Sequence, residues 1–377
     1  MIRVLLVDDS IVVRRILSGT LAEHPDIDVV GSAGNGVQAL ERLDQLHPDI
    51  VILDIEMPVM DGLETLRRIR AKLPRLAVIM FSNVTSLGAR ATLDALALGA
   101  TDYVTKPADV ANFAASKAHL RGELVPKILA LGAPKVGPSV TSFASTRVTS
   151  GLLPETSATP GSARPRSAST AMASVSRPPI AAAVIGVSTG GPKALQTLIP
   201  ALPERLNIPV LVVQHMPPLF TAQLAARLNS QSAVRVIEAQ HGDRLENATV
   251  YLAPGDFHMT VGRVDGKAVI SLNQSEPEHS CRPAVDPLFR SASALWGASV
   301  CGVVMTGMGT DGALGCAAIV QGGGSVLLQD EASSVIWGMP GHTARSGVAH
   351  EVVVLDDIAA EIVRRSTRSL TRAGMTG

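Results

Sequence analysis

One serine lies where an apolar strand is expected to meet a helix. Ser188 belongs to Gly186-Val187-Ser188-Thr189-Gly190-Gly191, which follows an apolar run at 181–187 and precedes Pro192. The glycines permit a tight turn, and proline suits the first turn of a helix. A helix N-terminus favours developing negative charge. The pattern predicts a nucleophilic serine, but a bare strand-to-helix turn or a phosphate-binding loop gives the same pattern.

A histidine and an acid follow two further apolar runs. His215 comes after the predicted strand 209–214, and Asp311 lies in the glycine-rich segment 306–312 after the predicted strand 300–305. Residues after parallel strands meet at one edge of a sheet. We therefore expect His215 to act as a base for a serine and Asp311 to fix its tautomer. Backbone N–H groups of the glycine-rich segment would form an oxyanion hole.

Two alternatives to this assignment remain open. The acid is equally compatible with a turn in which Asp311 is the N-cap of the next helix. The chain order Ser…Asp…His of α/β-hydrolases would instead require His342 or His350 as the base. We rank His342 below His215, because its position after Pro340-Gly341 suggests a surface loop.

Five polar residues follow four apolar runs in the first third of the chain. Asp8 and Asp9 follow the first run, Asp54 the third, Ser82 the fourth and Lys106 the fifth. Three clustered carboxylates repel one another unless a cation binds, and Mg²⁺ prefers oxygen ligands. Asp54 would accept a phosphoryl group whose oxygens contact Lys106 and Ser82. Taken singly, each acid is also compatible with an ordinary solvated loop.

The elements that must position these residues form two α/β patterns. Residues 1 to about 131 alternate apolar runs with helical patterns, which predicts a doubly wound parallel sheet of five strands. The predicted strands are 2–7, 28–32, 50–55, 76–81 and 101–105, and the predicted helices are 11–23, 36–46, 61–72, 86–98 and 109–131. A second α/β pattern begins at Ile180. Its predicted strands are 180–187, 209–214, 249–253, 268–272, 300–305 and 325–328, with some antiparallel pairing around Asp265-Gly266.

The segment between the two patterns has a different composition. From about 133 to 179, Ser, Thr, Ala, Pro and Gly dominate, which predicts a flexible tether. We therefore divide the chain into a first domain at 1–125, a helix end with a flexible Ser/Pro/Ala-rich linker at 126–179, and a second domain at 180–370.

Composition restricts the partners and the compartment. The 377 residues carry 33 basic and 33 acidic side chains, which argues against a broad nucleic-acid surface. We find no run of the roughly 18 apolar residues that a membrane helix needs, and no signal peptide. Three cysteines without metal-type spacing are consistent with a reducing, cytoplasmic location.

The first domain resembles the receiver domain of two-component response regulators. The resemblance is carried by Leu6-Val7-Asp8-Asp9-Ser10, Asp54-Ile55-Glu56-Met57-Pro58, Met60-Asp61-Gly62 and Tyr103-Val104-Thr105-Lys106-Pro107. It implies phosphorylation of Asp54 by a histidine kinase. It also implies Mg²⁺ held by Asp8, Asp9, Asp54 and the backbone of Glu56, with Tyr103 reorienting together with Ser82. Without the resemblance, Tyr103 would be a half-buried strand aromatic.

The second domain resembles the catalytic domain of chemotaxis protein-glutamate methylesterases. Five motifs carry this resemblance: the serine motif at 186–191, Gln214-His215-Met216-Pro217, Ala253-Pro254-Gly255-Asp256, Arg282-Pro283-Ala284-Val285-Asp286 and the segment 306–312. It implies a Ser188–His215–Asp311 site without a cofactor. Met308 would be an oxyanion donor, with Thr189 nearby. The linker is longer than the family pattern leads us to expect, which argues against tight docking of the two domains.

The implied activity is phosphorylation-activated hydrolysis of glutamate methyl esters on chemoreceptors, with deamidation of certain glutamines as a second activity. In the unphosphorylated state the first domain would cover the Ser188 cleft. A signalling adaptor without turnover and a DNA-binding regulator are the alternatives, although the chain shows no basic recognition helix. Arg282 and Asp286 either shape the substrate groove or form a structural ion pair.

Overall fold

The computed structural model describes residues 1–107, 112–132, 178–348 and 350–367. The predicted linker at 126–179 therefore lies largely outside the described residues. Its first residues, up to 132, are the end of a helix.

The first part of the chain forms a five-stranded parallel sheet with the strand order β2-β1-β3-β4-β5. Its strands are β1 (Ile2–Val7), β2 (Ile27–Ala33), β3 (Ile50–Asp54), β4 (Ala77–Ser82) and β5 (Asp102–Thr105). Its helices are α1 (Ile11–Leu21), α2 (Gly36–Leu46), α3 (Gly62–Lys72), α4 (Ser86–Ala97) and α5 (Phe113–Gly132). The order changes direction between β1 and β3, which is where ligands bind in such sheets.

The second part forms a seven-stranded parallel sheet and a separate antiparallel hairpin. The strands are β6 (Ala182–Val187), β7 (Val210–Gln214), β8 (Arg235–Glu238), β9 (Thr249–Leu252), β10 (His258–Val264), β11 (Lys267–Asn273), β12 (Val300–Val304), β13 (Ser325–Gln329) and β14 (Glu351–Val353). The helices are α6 (Gly191–Leu198), α7 (Phe220–Gln231), α8 (Val285–Trp296), α9 (Ala313–Gln321), α10 (Met339–Arg345) and α11 (Ile358–Ser366). The sheet order is β14-β13-β12-β6-β7-β9-β8, and β10 pairs with β11.

The predicted fold class is confirmed, including the limited antiparallel pairing. The hairpin turns at Asp265 and Gly266, both with positive φ (48° and 76°), as a two-residue hairpin turn of this sequence requires. The edge strands β8 and β14 were not predicted from the sequence. They have four and three residues, too few for a clear hydrophobic period. None of the described helices has the length and hydropathy that crossing a bilayer requires.

Helices from the two sheets contact each other. Helix α4 packs against α6 and α7. The ring of Tyr103 at β5 stacks on the ring of Phe220 at the start of α7, with centroids 5.0 Å apart and 9° between the planes. Arg227 on α7 forms an ion pair with Asp94 on α4. The expectation that the long linker argues against tight docking was therefore wrong, because side chains of α4, β5 and α7 contact one another directly.

Candidate active site

Ser188 directly follows β6 and precedes α6. Its N–H donates to the carbonyl of Thr306 at 3.0 Å, and its carbonyl accepts from the N–H of Gly191 at 2.8 Å. Gly190 adopts a φ of 77°, which glycine reaches without a Cβ penalty. The turn thereby holds the serine at the N-terminal end of α6, as the sequence predicts.

His215 occupies the equivalent position after the neighbouring strand. Strands β6 and β7 are adjacent and parallel, and Val187 pairs with Gln214, so the two residues that follow the strands lie side by side. The side-chain amide of Gln214 donates to the carbonyls of both Ser188 and His215 at 3.1 Å. The spacing between the two backbones is thus fixed by a buried side chain.

Asp311 binds the imidazole and several backbone groups. Its Oδ2 lies 2.8 Å from Nε2 of His215 and accepts the Val285 N–H at 2.6 Å. Its Oδ1 accepts the N–H groups of Asp286 at 3.0 Å and Gly312 at 2.8 Å. Asp311 therefore caps the start of α8. The N-cap of α9 is Gly312, so the alternative that Asp311 is the N-cap of the following helix was wrong.

The charges of this pair follow from its surroundings. Burial alone raises the pKa of Asp311, but His215 and the N–H donors outweigh burial, and the pKa lies below its ordinary value. Burial lowers the pKa of His215, but the hydrogen bonds with Asp311 and Cys281 raise it by more than burial lowers it, so the pKa is raised from its ordinary 6.5 to about 10. The carboxylate is ionised at neutral pH and stabilises a cationic imidazole.

The glycine-rich segment lies against the serine. A Cβ on Gly307 would lie 2.8 Å from the Ser188 Cβ and 2.4 Å from the Met339 sulfur, so only glycine permits this approach. Among the residues that the structure describes, no group accepts the backbone N–H of Met308 or of Thr189. Both N–H groups belong to chain segments that border Ser188 and are available to an oxyanion.

The two alternative histidines, His342 and His350, lie outside the Ser188–His215–Asp311 group. His342 is exposed, as expected, but it lies within α10 and not in a loop, because Pro340 occupies the first turn of that helix. His350 is exposed beside the edge strand β14. Each lacks a carboxylate partner within the described ranges.

Arg282 and Asp286 do not bind each other. Arg282 donates to Asp256 at 2.7 Å, whereas the buried Asp286 accepts from His279 at 2.8 Å and from the Gly315 N–H at 2.6 Å. The hypothesis of an Arg282–Asp286 ion pair was therefore wrong. The two residues face different partners because Asp286 is turned into the start of α9.

The acidic residues of the first sheet also converge. Nζ of Lys106 lies 2.9 Å from Oδ2 of Asp8 and 2.8 Å from Oδ2 of Asp54. Carboxylate oxygens of Asp8, Asp9 and Asp54 lie within 4.8 Å of one another. Asp8 and Asp54 are buried, whereas Asp9 is exposed and leaves one side open to water.

This cluster fits a hard divalent cation. One lysine cannot neutralise three carboxylates, and all the donor atoms are oxygens, which Mg²⁺ prefers. Burial raises the pKa of Asp54 to about 6, although Lys106 partly opposes this effect. The Glu56 N–H, at 3.4 Å from Oδ1, is the one backbone donor to that carboxylate among the described residues. The ionised Asp54 carboxylate therefore has few hydrogen-bond donors around it. A bound cation would compensate for the solvation that the carboxylate loses on burial.

The remaining predicted residues of this edge have structural partners. Ser82 ends β4, and its hydroxyl donates to the Gly88 carbonyl at 3.2 Å, so it points toward α4. Tyr103 is buried against Phe220. The sequence did not reveal that Tyr103 would contact the second sheet, because no local pattern encodes a contact between distant elements.

Two residues that support the site and two that lie beside it were missed from the sequence. Gln214 was noted only within a motif, and Thr306 was not noted as a support, although its hydroxyl donates to the Thr189 carbonyl at 2.9 Å. His279 and Cys281 border the Asp311 pair. Gln214, at the end of a buried strand, offered a signal, since a buried amide needs partners. His279 and Cys281 lie in a loop and offered none.

Comparison with known proteins identifies the family. The profile of the CheB methylesterase matches residues 183–362, and that of the response regulator receiver domain matches residues 4–116. A protein-glutamate methylesterase/protein-glutamine glutaminase of Trichodesmium erythraeum is 45% identical over 370 residues, which are 96% of this chain and 98% of the relative. The chain belongs to the CheB-type protein-glutamate methylesterase/protein-glutamine glutaminase family.

Two further comparisons concern this CheB-type chain. A protein of the same description from Nocardioides sp. is 47% identical over 382 residues, covering 99% of this chain and 98% of the relative. The crystal structure of the Thermotoga maritima CheB methylesterase catalytic domain is 38% identical, covers 49% of this chain and 98% of that chain, and has a TM-score of 0.48. The resemblance to both families and the prediction of a hydrolase are confirmed. Membership in this enzyme family argues against the two alternatives, a signalling adaptor without turnover and a DNA-binding regulator.

Proposed function

We propose that Ser188, His215 and Asp311 hydrolyse glutamyl γ-methyl esters on chemoreceptors. The observation that supports this most directly is the 2.8 Å contact of Asp311 with His215, on the strand next to the one that presents Ser188. A serine beside an oriented imidazole is the arrangement that activates a hydroxyl for acyl transfer. Because Nε2 of His215 faces Asp311, Nδ1 is the nitrogen left to take the serine proton.

The first half of the reaction acylates the enzyme. The Ser188 hydroxyl oxygen bonds to the ester carbonyl carbon while its proton passes to His215. The carbonyl oxygen becomes an oxyanion that accepts hydrogen bonds from the N–H groups of Met308 and Thr189. The C–O bond to the methoxy group then breaks, His215 returns the proton, and methanol leaves.

The second half restores the serine. Water attacks the acyl carbon as His215 takes its proton, and the bond to Ser188 breaks as His215 protonates the serine oxygen. The products are a receptor glutamate and the free enzyme. The same steps on a glutamine side chain release ammonia instead of methanol, which accounts for a glutaminase activity at the same site.

The acidic edge of the first sheet would receive the regulatory phosphoryl group. Asp54 would be the acceptor from a chemotaxis histidine kinase, and Asp8, Asp9, Asp54 and the backbone of Glu56 would hold Mg²⁺. The ion supplies charge that offsets the phosphoryl oxygens. Lys106, already 2.8 Å from Asp54, would keep the carboxylate oriented and then pair with the phosphoryl group.

Phosphorylation would act through the contact between the two sheets. Ser82 and Tyr103 lie on β4 and β5, and Tyr103 stacks on Phe220, five residues after His215. A phosphoryl group that draws the Ser82 hydroxyl away from Gly88 would favour another position of Tyr103. The contact with α7 would weaken, and the population would shift to a form in which Ser188 is accessible.

A cytoplasmic location is part of the proposal. The three cysteines are all free, which suits a reducing compartment. The substrate would be the cytoplasmic helices of a chemoreceptor, reached without insertion into the membrane and without a nucleic acid.

The test measures methanol release from a methylated receptor fragment, with and without a small-molecule phosphodonor and Mg²⁺. We expect release that increases with the phosphodonor. Ser188→Ala should lower turnover by about 10⁶-fold. Ser334→Ala, which removes a serine hydroxyl from the segment before α10, is the matched control.

Two results would contradict the proposal. Near-normal turnover of a folded Ser188→Ala protein would exclude the serine as nucleophile. Activation by the phosphodonor in an Asp54→Asn variant would exclude Asp54 as the acceptor.

A further inference from the structure

Beside the Ser188 site, three metal-ligating side chains converge from separate segments. Ligand atoms of His279, Asp286 and Asp311 lie within 4.8 Å of one another. We propose that this cluster binds Zn²⁺ and that the bound ion inhibits the esterase. The inhibitory part rests on the proposed role of Asp311; the binding part does not.

The distances suit a small tetrahedral ion. Nε2 of His279 lies 2.8 Å from Oδ2 of Asp286 and 3.9 Å from Oδ1 of Asp311. Bonds of ~2.0–2.1 Å to a tetrahedral Zn²⁺ place neighbouring ligand atoms roughly 3.4 Å apart. The two distances from His279 bracket this value, and the ligand oxygens of Asp286 and Asp311 lie within 4.8 Å of each other. Small shifts of the side chains would therefore bring the three ligand atoms to one ion.

The ligand set selects zinc over magnesium. One imidazole and two carboxylates are ordinary zinc ligands, and two negative charges balance the ion. Mg²⁺ prefers oxygen ligands, as in the Asp8–Asp9–Asp54 cluster of the first sheet. The two sites of this chain therefore differ in the ion they favour.

Outer contacts already orient the ligands. The Gly315 N–H donates to Oδ1 of Asp286, which leaves Oδ2 toward His279. The hydroxyl of Thr310 lies 3.4 Å from Nδ1 of His279, the nitrogen that a metal bound at Nε2 would leave free. Such outer bonds fix the orientation of metal ligands. The His279 side chain is 30% exposed while the two carboxylates are buried, so an ion can enter past the imidazole and keep water as a fourth ligand.

The loop that carries His279 is held in an unfavourable conformation. His279 and Ser280 have φ angles of 52° and 61°, which non-glycine residues rarely adopt. Arg290 binds Glu278, and the Cys281 N–H donates to the Glu278 carbonyl, so the loop is fixed on both sides. Backbone strain that persists in this way is common at functional sites.

An ion at this position would interfere with the catalytic pair. It would share the carboxylate that orients His215 and add positive charge beside an imidazole that must become cationic when it takes the serine proton. Loss of the orienting acid in serine enzymes costs on the order of 10⁴ in turnover. We therefore expect saturating Zn²⁺ to lower methanol release by at least about 10²-fold, reversibly on addition of a chelator.

The experiment uses the full chain with saturating Mg²⁺, so that the receiver site is occupied. Co²⁺ serves as the spectroscopic probe, and Zn²⁺ is titrated in the methanol assay. We expect one visible absorption band of tetrahedral Co²⁺ that Zn²⁺ removes. His279→Asn, chosen because Asn tolerates a positive φ, should abolish the band, weaken Zn²⁺ inhibition by at least about tenfold and keep metal-free turnover within about tenfold.

Two further variants complete the test. His241→Gln, which alters an exposed imidazole in the turn after β8, should behave as the native chain. His279→Cys should bind Co²⁺ again, with a thiolate charge-transfer band in the near ultraviolet. No Co²⁺ band in the native chain, or unchanged Zn²⁺ inhibition in His279→Asn, would overturn the proposal. A chain that binds Co²⁺ through His279 but releases no methanol would instead contradict the proposed function alone.

Discussion

Asp54 and Asp311 both lie beyond the carboxyl ends of parallel strands, yet the pKa values of their carboxyl groups are shifted in opposite directions. Both follow or end a central parallel strand and both are at most 2% exposed. Asp54 has Lys106 and one long backbone contact, and its pKa is raised to about 6. Asp311 has His215 and three backbone N–H donors, and its pKa is lowered.

The difference shows what controls a buried carboxylate. Burial raises the pKa of both groups, so the hydrogen bonds and the neighbouring charges decide the outcome: the charge of Asp8 further raises the pKa of Asp54, whereas His215 and the backbone donors lower that of Asp311. Asp311 is therefore ionised at neutral pH, which suits the orienting role proposed for it. Asp54 remains a carboxylate that a cation or a phosphoryl group stabilises further, which suits a residue that is modified reversibly.

The largest expected effect is on Asp311. Asp311→Asn keeps the shape but replaces the charged acceptor of His215 and of the Val285 N–H, so turnover should fall by about 10⁴-fold. Methanol release under saturating substrate measures it. Asp356→Asn, an exposed acid of the same part of the chain, is the control. A loss of less than tenfold would mean that Asp311 is only a cap of α8.

The second prediction concerns Asp54, whose ionised carboxylate should destabilise the folded state. A pKa raised from 3.8 to about 6 means that the folded state holds the proton more tightly than the unfolded state. The stabilising contribution is present below pH 4 and is lost as the pH rises through 6, so ionised Asp54 costs on the order of 3 kcal/mol at pH 7.

Asp54→Asn should therefore raise the free energy of unfolding by about that amount at pH 7 without Mg²⁺, and by little near pH 4. Urea unfolding followed by circular dichroism measures the difference. Asp9→Asn, which changes the exposed acid of the same cluster, should have a small effect. Equal gains at both pH values would show that Asp54 is not destabilised by its charge.

The pH dependence separates the two sites. Phosphorylation of Asp54 by a small phosphodonor should slow as the pH falls, because the proposed nucleophile is the carboxylate and burial raises its pKa. Mg²⁺ favours the ionised form and should move this decline to lower pH. Methanol release by Asp54→Asn should decline already at higher pH, since the pKa of His215 lies above 6.5 and its cation cannot accept a proton. If phosphorylation and methanol release declined over the same pH range, the pKa values of Asp54 and His215 would not differ as described.

The smallest expected effect concerns the contact between the sheets. Tyr103→Ala removes the stacking on Phe220, a contribution of about 0.5–1.5 kcal/mol, so basal methanol release should rise about two- to tenfold. Tyr103→Phe keeps the ring and should leave basal release near the native value. If neither variant changes it, the stacking does not restrain the esterase.

The sequence was sufficient where strand ends determine position. Alternating apolar runs predicted which residues converge at each edge, and so predicted both Asp8–Asp54–Lys106 and Ser188–His215. The sequence was insufficient where a side chain serves a distant backbone. That Asp311 caps α8, and not α9, depends on how α8 packs beside β12, and no local pattern encodes it.

The same limit applies to the loop before α8. His279 lies seven residues before Asp286 and 32 before Asp311, and only a fixed loop with two positive φ angles brings its ring to both. Spacing in the chain therefore gave no indication of a metal-ligating cluster. Short edge strands such as β14 were missed for a simpler reason, since three residues are too few to show a period.

The backbone N–H groups that donate to the Asp311 carboxylate also offer an internal probe. The amide hydrogens of Val285 and Asp286 point at its carboxylate, so their chemical shifts and their solvent exchange depend on its charge and position. A ¹⁵N-labelled chain would thus register ligand binding, protonation or receiver phosphorylation at two peaks. The state of the acid could be followed in the unmodified enzyme, without a substrate and without a substitution.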